Sequence, residues 1–348
     1  MTLRGRFNLP ISGYISGFFL RIPISIQIYL NLVLYGCNLH KVYIKVIIKQ
    51  QMKKMVFLIT FLLTVIQITG QQVKSFKTSD GETLYYTAKG KGPVVVFLYG
   101  GPGIGAAPMR PWADSLSNKY ECIIYEQRGT GLSSNVKLDS TTINLKRALQ
   151  DIDELRKHLG EQQLTLCGIS WGGGLAQAYT AYYPENTKNI VLVCSIGPDR
   201  TLMSAFGDNM RMRRFPNEKD SLSYWNKEPE NDYVLMKRRL FSYIPDFYDH
   251  NIGYKMLPEF FAKATYHDKM GELMNEDLNK NYNLNIKLKN YHGLCTIIKT
   301  RQDVIPEEMV YQIKNLLPQT NIRTIERCGH FPDYEKPKEF FKILRELL

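Results

Sequence analysis

The sequence predicts an α/β fold: a mostly parallel sheet with helices on both faces, interrupted late in the chain by a helical insertion. Three observations carry that expectation. From Gln72 onward, short apolar runs alternate with segments of helical period, the pattern of strands joined through crossover helices. Several of the runs, such as "GPVVVFLYG" and "YECIIYEQRG", are short and continuously apolar, as strands covered on both faces must be. Between residues 198 and 288 the alternation stops, and charged, aromatic and Met residues recur at helical spacing.

Taken in order, "QVKSFKTSD" and "ETLYYTAKG" around Asp80-Gly81 predict an opening hairpin, followed by strands in "GPVVVFLYG" and "YECIIYEQRG". A Gly/Pro-rich loop and a helix around "APMRPWADSLSN" lie between those two strands. The clearest helix is in "DSTTINLKRALQDIDELRKHLG", where Leu145, Leu149, Ile152, Leu155 and Leu159 form one stripe. Ser140 or Thr141 is expected to cap its start and Gly160 to end it. After the strand "QLTLCGIS" comes the helix opened by "WGGG", then the strand "NIVLVCSIG". Beyond the insertion come "GLCTIIKT", the helix "PEEMVYQIKNLL", the strand "NIRTIERCG" and a last helix "KPKEFFKILRELL". The expected divisions are an extension over 1–51, a leader over 52–70, a first core part over 71–197, an inserted helical lid over 198–288 and a second core part over 289–348.

The formal charge of +12 over 348 residues suggests a polyanion partner, but its distribution argues otherwise. Residues 1–70 hold eight Lys or Arg and no acid, which leaves a net of +4 for the rest. No nucleic-acid partner is needed to explain such a balance. Within the acid-free part, Lys53 and Lys54 precede an apolar run from Val56 to Ile68 that ends in Thr69-Gly70. This has the layout of a secretory signal peptide cleaved before Gln71, with an uncleaved membrane anchor as the alternative. The expected location is therefore exported. If Met52 is the start, residues 1–51 are an upstream extension. Apart from Cys37, the cysteines Cys122, Cys167, Cys194, Cys295 and Cys328 show no metal-ligand spacing. The first four fall in apolar runs as small buried hydrophobes, and Cys328 falls near His330 as lining.

Gly168, Ser170 and Gly172 form a G-x-S-x-G pattern between a strand and a helix. In that setting the serine sits on a sharp turn with its hydroxyl exposed. A serine hydroxyl needs a base to take its proton and an acid to orient the base. Asp303 follows directly on the strand "LCTIIKTRQ" and His330 follows "NIRTIERCG". Strand-end loops on one sheet edge are where such groups converge, and the order Ser170, Asp303, His330 suits a strand–elbow–helix nucleophile. Asp199, at the end of an earlier strand, is the rival acid.

With these motifs the sequence resembles the α/β-hydrolase superfamily, and within it the proline iminopeptidases. That group carries HGGPG and DQRGxGxS, read here as "YGGPG" (99–103) and "EQRGTGLS" (126–133), beside "GISWGGG", "RQDVIP" and "GHFP". The resemblance covers residues 72–200 and 288–348 and implies an α/β-hydrolase fold with an acyl-transfer serine enzyme. The chain departs from the pattern at Tyr99, where the family has His, and at Glu126, where it has Asp. The resemblance implies oxyanion donors at the Gly101 and Trp171 N–H groups, a loop shaped by Pro102 and Gly103, and bracing by Glu126, Gln127 and an Arg128–carboxylate pair. It also implies lid carboxylates that hold a substrate ammonium, with Glu228, Glu230 and Asp232 as candidates and Trp225 as pocket lining. Expected substrates are short peptides or small molecules, with no metal or organic cofactor. An esterase or lactonase on the same scaffold is the alternative, and a ligand-binding protein without turnover, supported by Tyr99, is a third reading.

Overall fold

A computed structural model describes residues 48–56 and 71–348. The predicted leader's apolar core and most of the upstream extension lie outside the described residues. Residues 48–56 are helical, and no described helix is long and apolar enough to cross a membrane. The described strands all belong to the unit that begins at Thr69.

Eight strands form one sheet: β1 (Gln72–Lys77), β2 (Thr83–Lys89), β3 (Val94–Leu98), β4 (Glu121–Tyr125), β5 (Leu164–Ile169), β6 (Thr187–Val193), β7 (Leu294–Thr300) and β8 (Asn321–Ile325). Their spatial order is β1-β2-β4-β3-β5-β6-β7-β8. β1 and β2 are an antiparallel hairpin, β2 pairs antiparallel with β4, and every pairing from β4 to β8 is parallel. The unbroken apolar runs have the expected cause. Val96, Leu98, Leu164, Leu166, Ile190 and Leu192 enter the core on one face, while Val95, Phe97, Cys167, Ile169, Val191 and Val193 enter it on the other. A strand with both faces covered has no polar side to show.

The first face is covered by α2 (Leu145–His158) and α3 (Trp171–Tyr182), the second by α1 (Arg110–Leu116), with further helices joining each. α2 buries Leu145, Leu149, Ile152 and Leu155 of the predicted stripe, with Leu159 half-buried just past its end, but starts later than its capping residues suggested. Asn144 is the cap, its side chain accepting the Arg147 N–H at 2.9 Å. Asp139 engages Thr141 and Thr142 in a turn of their own, which takes them out of the helix start. Between β6 and β7 lie α4 (Met203–Arg213), α5 (Pro216–Trp225), α6 (Asp232–Tyr243), α7 (His250–Lys263) and α8 (Asp268–Asn281). The chain closes with α9 (Glu307–Leu316), the one-turn α10 (Pro332–Glu335) and α11 (Pro337–Leu347).

Candidate active site

The loops after β3, β5, β7 and β8 leave the same, C-terminal edge of the parallel sheet, and they carry Gly100–Gly101, Ser170, Asp303 and His330. Ser170 stands alone between the last residue of β5 and the first of α3, at φ 56° and ψ −122°. This conformation is costly for a residue with a Cβ. The neighbouring glycines make it attainable. A Cβ on Gly168 would lie 2.2 Å from the Gly172 carbonyl oxygen, and one on Gly172 would lie 2.0 Å from that of Leu98. The turn is so tight that strand, helix and β3 backbone pass within glycine distance of one another.

His330 Nδ1 lies 2.8 Å from Asp303 Oδ1, and both side chains are buried. That contact leaves Nε2 as the free ring nitrogen. Asp303 Oδ1 also accepts the Ile305 N–H at 3.1 Å. Burial opposes ionisation of Asp303, but His330 and these hydrogen bonds outweigh it and hold the carboxyl below its usual range. For His330, burial disfavours the cation, yet Asp303 first and then Asp246 and Asp333 lift it to about 9. Asp199 is engaged elsewhere, with Thr201 and Asn285. Ser170 and His330 line one cavity without a hydrogen bond between them. Such contacts are often long before substrate binds.

The loop after β3 comes close to the serine: a Cβ on Gly100 would lie 3.7 Å from Ser170 Oγ. Gly101, at φ 120°, and Trp171, at the helix start, have N–H groups that no backbone hydrogen bond uses among the described residues. Gln127 connects the two places. Its Nε2 donates to the Tyr99 carbonyl at 2.8 Å, and its Oε1 accepts the Trp171 indole N–H at 3.0 Å. Glu126 accepts the Ala106 N–H at 2.9 Å, so its carboxylate holds the far end of the same loop. Arg128 grips Asp151 through Nε at 2.8 Å and Nη2 at 2.7 Å. Tyr99 contributes its carbonyl to Gln127 and its buried ring to the cavity wall, and burial raises its phenol well above the usual range.

The cavity at Ser170 has a volume of about 210 Å³. Ile104, Phe206, Met210, Tyr243, Phe260 and Phe331 make most of its wall apolar. Asp246, in the turn between α6 and α7, is the one carboxylate among its described lining residues. It is 5% exposed, and its carboxylate has no hydrogen-bond partner among the described residues. Burial first, then the nearby Asp303, push it up to about 7, against the pull of His330, Arg213 and Arg214.

The insertion residues singled out from the sequence lie apart from this cavity's lining. Arg238 gathers three of them: its guanidinium donates to the carbonyls of Trp225 and Glu228 and to the Glu230 carboxylate at 3.0 Å, while Asp232 opens α6. Trp225 packs between Tyr224 and Tyr233. Asp246 carries no signal in the sequence, because a three-residue turn has no periodicity to mark it. Cys194 is a second residue whose place the sequence does not reveal. It is buried as expected, but at φ 44° after β6 its Sγ lies within 4.8 Å of the bonding atoms of Asp303 and His330. Burial and Asp303 keep its thiol protonated, well above the usual range.

Residues 93–337 match the family model described as alpha/beta hydrolase fold. The chain belongs to that family. This hydrolase is 39% identical over 123 residues to a proline iminopeptidase of Arabidopsis thaliana, a stretch covering 34% of this chain and 31% of the relative. To a proline iminopeptidase of Xanthomonas citri it is 41% identical over 120 residues, covering 33% and 37%. The matched stretch thus spans about a third of each relative. An alpha/beta fold family hydrolase from Bacillus anthracis superposes with a TM-score of 0.64 at 18% identity, over 80% of this chain and 99% of that one. Over the stretch matched to those two relatives the hydrolase is similar to proline iminopeptidases, and its mostly parallel sheet is the one the alternation of apolar and helical segments predicted.

Proposed function

We propose that this hydrolase is a serine aminopeptidase that releases a small N-terminal residue, proline or one of similar size, from short peptides. The observation that carries the reading is Asp246: a carboxylate without a hydrogen-bond partner among the described residues, in an otherwise mostly apolar cavity that also holds Ser170 and His330. A free α-ammonium is the complement of such a group, and the apolar wall suits a compact aliphatic side chain. In this mechanism Ser170 Oγ attacks the carbonyl and His330 Nε2 takes its proton. Asp303 stabilises the imidazolium, and His330 returns the proton to the leaving amine. The Gly101 and Trp171 N–H groups hold the oxyanion, and water then releases the acyl group.

An esterase or lactonase is the second reading. It is favoured by the cavity's single described carboxylate, raised to about 7 and so partly neutral at ordinary pH. The deciding assay compares prolyl and alanyl naphthylamides, their N-blocked forms and a p-nitrophenyl ester, using wild type, Ser170→Ala and Asp246→Asn. The aminopeptidase reading expects cleavage of the free amines that falls by ~10⁴-fold or more in Ser170→Ala. It also expects Asp246→Asn to lower kcat/KM for free amines by about 10- to 100-fold and to spare the ester, since an ionic hydrogen bond contributes about 1.5–3 kcal/mol. Ester turnover alone would select the second reading.

A further inference from the structure

The carboxylate proposed to hold the amine and the base proposed to act on the carbonyl belong to different parts of the chain. Asp246 lies in the helical insertion and His330 in the loop after β8. We propose that Glu335 is the positioning residue that fixes the spacing between them and thereby confines cleavage to the first residue of a free N-terminus. The inference rests on the aminopeptidase reading.

Glu335 ends α10 and is 8% exposed. Its Oε1 accepts the Gly329 N–H at 2.7 Å, on the residue immediately before the base. Its Oε2 accepts the N–H groups of Tyr248 and Asp249, each at 3.1 Å, just after Asp246. One buried carboxylate therefore takes up backbone donors from both segments at once. Two further contacts tighten the join. The His330 N–H donates to the Asp246 carbonyl at 2.6 Å, and the rings of Phe247 and Phe331 stack with centroids 5.1 Å apart. Gly329 permits this closeness, since a Cβ there would lie 2.1 Å from the Asp246 carbonyl oxygen.

The functional consequence comes from the substrate's own geometry. In an N-terminal residue a single Cα separates the ammonium from the scissile carbonyl, so the two anchoring sites must stand at one fixed spacing. If the insertion's turn shifts against the base loop, an amine substrate can satisfy Asp246 or the serine, but not both well. A misplacement of about 1 Å costs on the order of 10²-fold in rate. A neutral ester with no amine to place is indifferent to the shift.

The test measures kcat/KM for alanyl naphthylamide and for p-nitrophenyl acetate in wild type, Glu335→Gln and Glu335→Ala, with fluorophosphonate labelling of Ser170 and thermal midpoints alongside. In Glu335→Gln a donor replaces one acceptor and opposes the backbone N–H groups. The expected result is a roughly 10- to 100-fold fall in the amine-to-ester ratio, carried mostly by the amine's kcat, with labelling retained. In Glu335→Ala, adding Asp246→Asn should cost much less than it does in wild type, because the anchor is already out of place. Where those variants fail to fold, Glu335→Asp keeps the charge but shortens the reach by one methylene, and the same ratio is read. Parallel loss of both activities, or an unchanged ratio in folded variants, overturns the role of Glu335 while leaving the aminopeptidase reading intact. A wild type that cleaves esters alone overturns that reading and the role of Glu335 with it.

Discussion

Gln127 uses both ends of its side-chain amide on the proposed oxyanion hole. The donor end holds the Tyr99 carbonyl, two residues before the Gly101 N–H, and the acceptor end holds the indole of Trp171, whose own N–H is the second donor. Gln127→Met removes both ties and keeps the bulk. It should lower kcat by about 10- to 100-fold with KM near wild type, since the oxyanion forms only after binding. Gln127→Glu should be worse, because a carboxylate would repel the Tyr99 carbonyl and put negative charge beside the developing oxyanion. Steady-state kinetics on any turned-over substrate check both, and a change confined to KM would count against the role. Asp246 and His330 allow a pH test with a defined sign. Asp303, Asp246 and Asp333 all raise the imidazole, to about 9. Asp246→Asn removes one of those charges, so His330 should lose its proton at lower pH. The acid limb of the kcat/KM profile for a neutral ester, which reports that deprotonation, should move down in pH. A limb that stayed fixed or moved up would separate Asp246 from the base.

At the scale of elements, what could be read from sequence depended on whether a local rule governed the segment. The strands were legible because burial on both faces leaves continuous apolar runs, and α2 because its leucines recur at helical spacing. The elbow was legible because Gly168 and Gly172 stand where only glycine fits. Asp303 and His330 could be named from their places after β7 and β8, since the parallel sheet brings those strand ends to one edge. The start of α2 was ambiguous because Ser140, Thr141 and Asn144 all suit a cap and Asp139 claims Thr141. The cavity's carboxylate was illegible for a different reason. Glu228 and Glu230 look free in the sequence, and only the folded insertion brings Arg238 to the Glu230 carboxylate and the Glu228 carbonyl. Asp246, Cys194 and Glu335 matter because each meets residues 84 or more positions away, 84 being the separation of Asp246 and His330, which no window of sequence shows.

Across the whole molecule, charge networks bind the hairpin end of the sheet to the segments that support the site. Arg128 comes directly after the loop-bracing Gln127, Asp80 lies in the turn between β1 and β2, and Asp151 and Arg147 lie on α2. Arg128 bonds Asp151 twice and Asp80 through Nη2 at 3.0 Å, while Arg147 reaches the same Asp151 at 2.9 Å. Asp151 has no exposed side-chain surface, and that of Arg128 is 3% exposed. A buried ion pair adds little over an apolar contact of the same shape, because desolvation offsets the attraction. Removing one partner is different, since it strands the other charge at a cost of about 3–5 kcal/mol. Arg128→Met should therefore cost about 3 kcal/mol, the lower end, since Arg147 still faces Asp151. In a domain of this size that is a fall of roughly 6–12 °C in thermal midpoint. Asp151→Asn added to Arg128→Met should recover part of the loss by discharging the stranded carboxylate. Calorimetry on the two variants decides the matter: recovery in the double variant identifies the buried charge as the cause, and a further fall would show that the carboxylate's remaining bonds to Arg147 outweigh its desolvation.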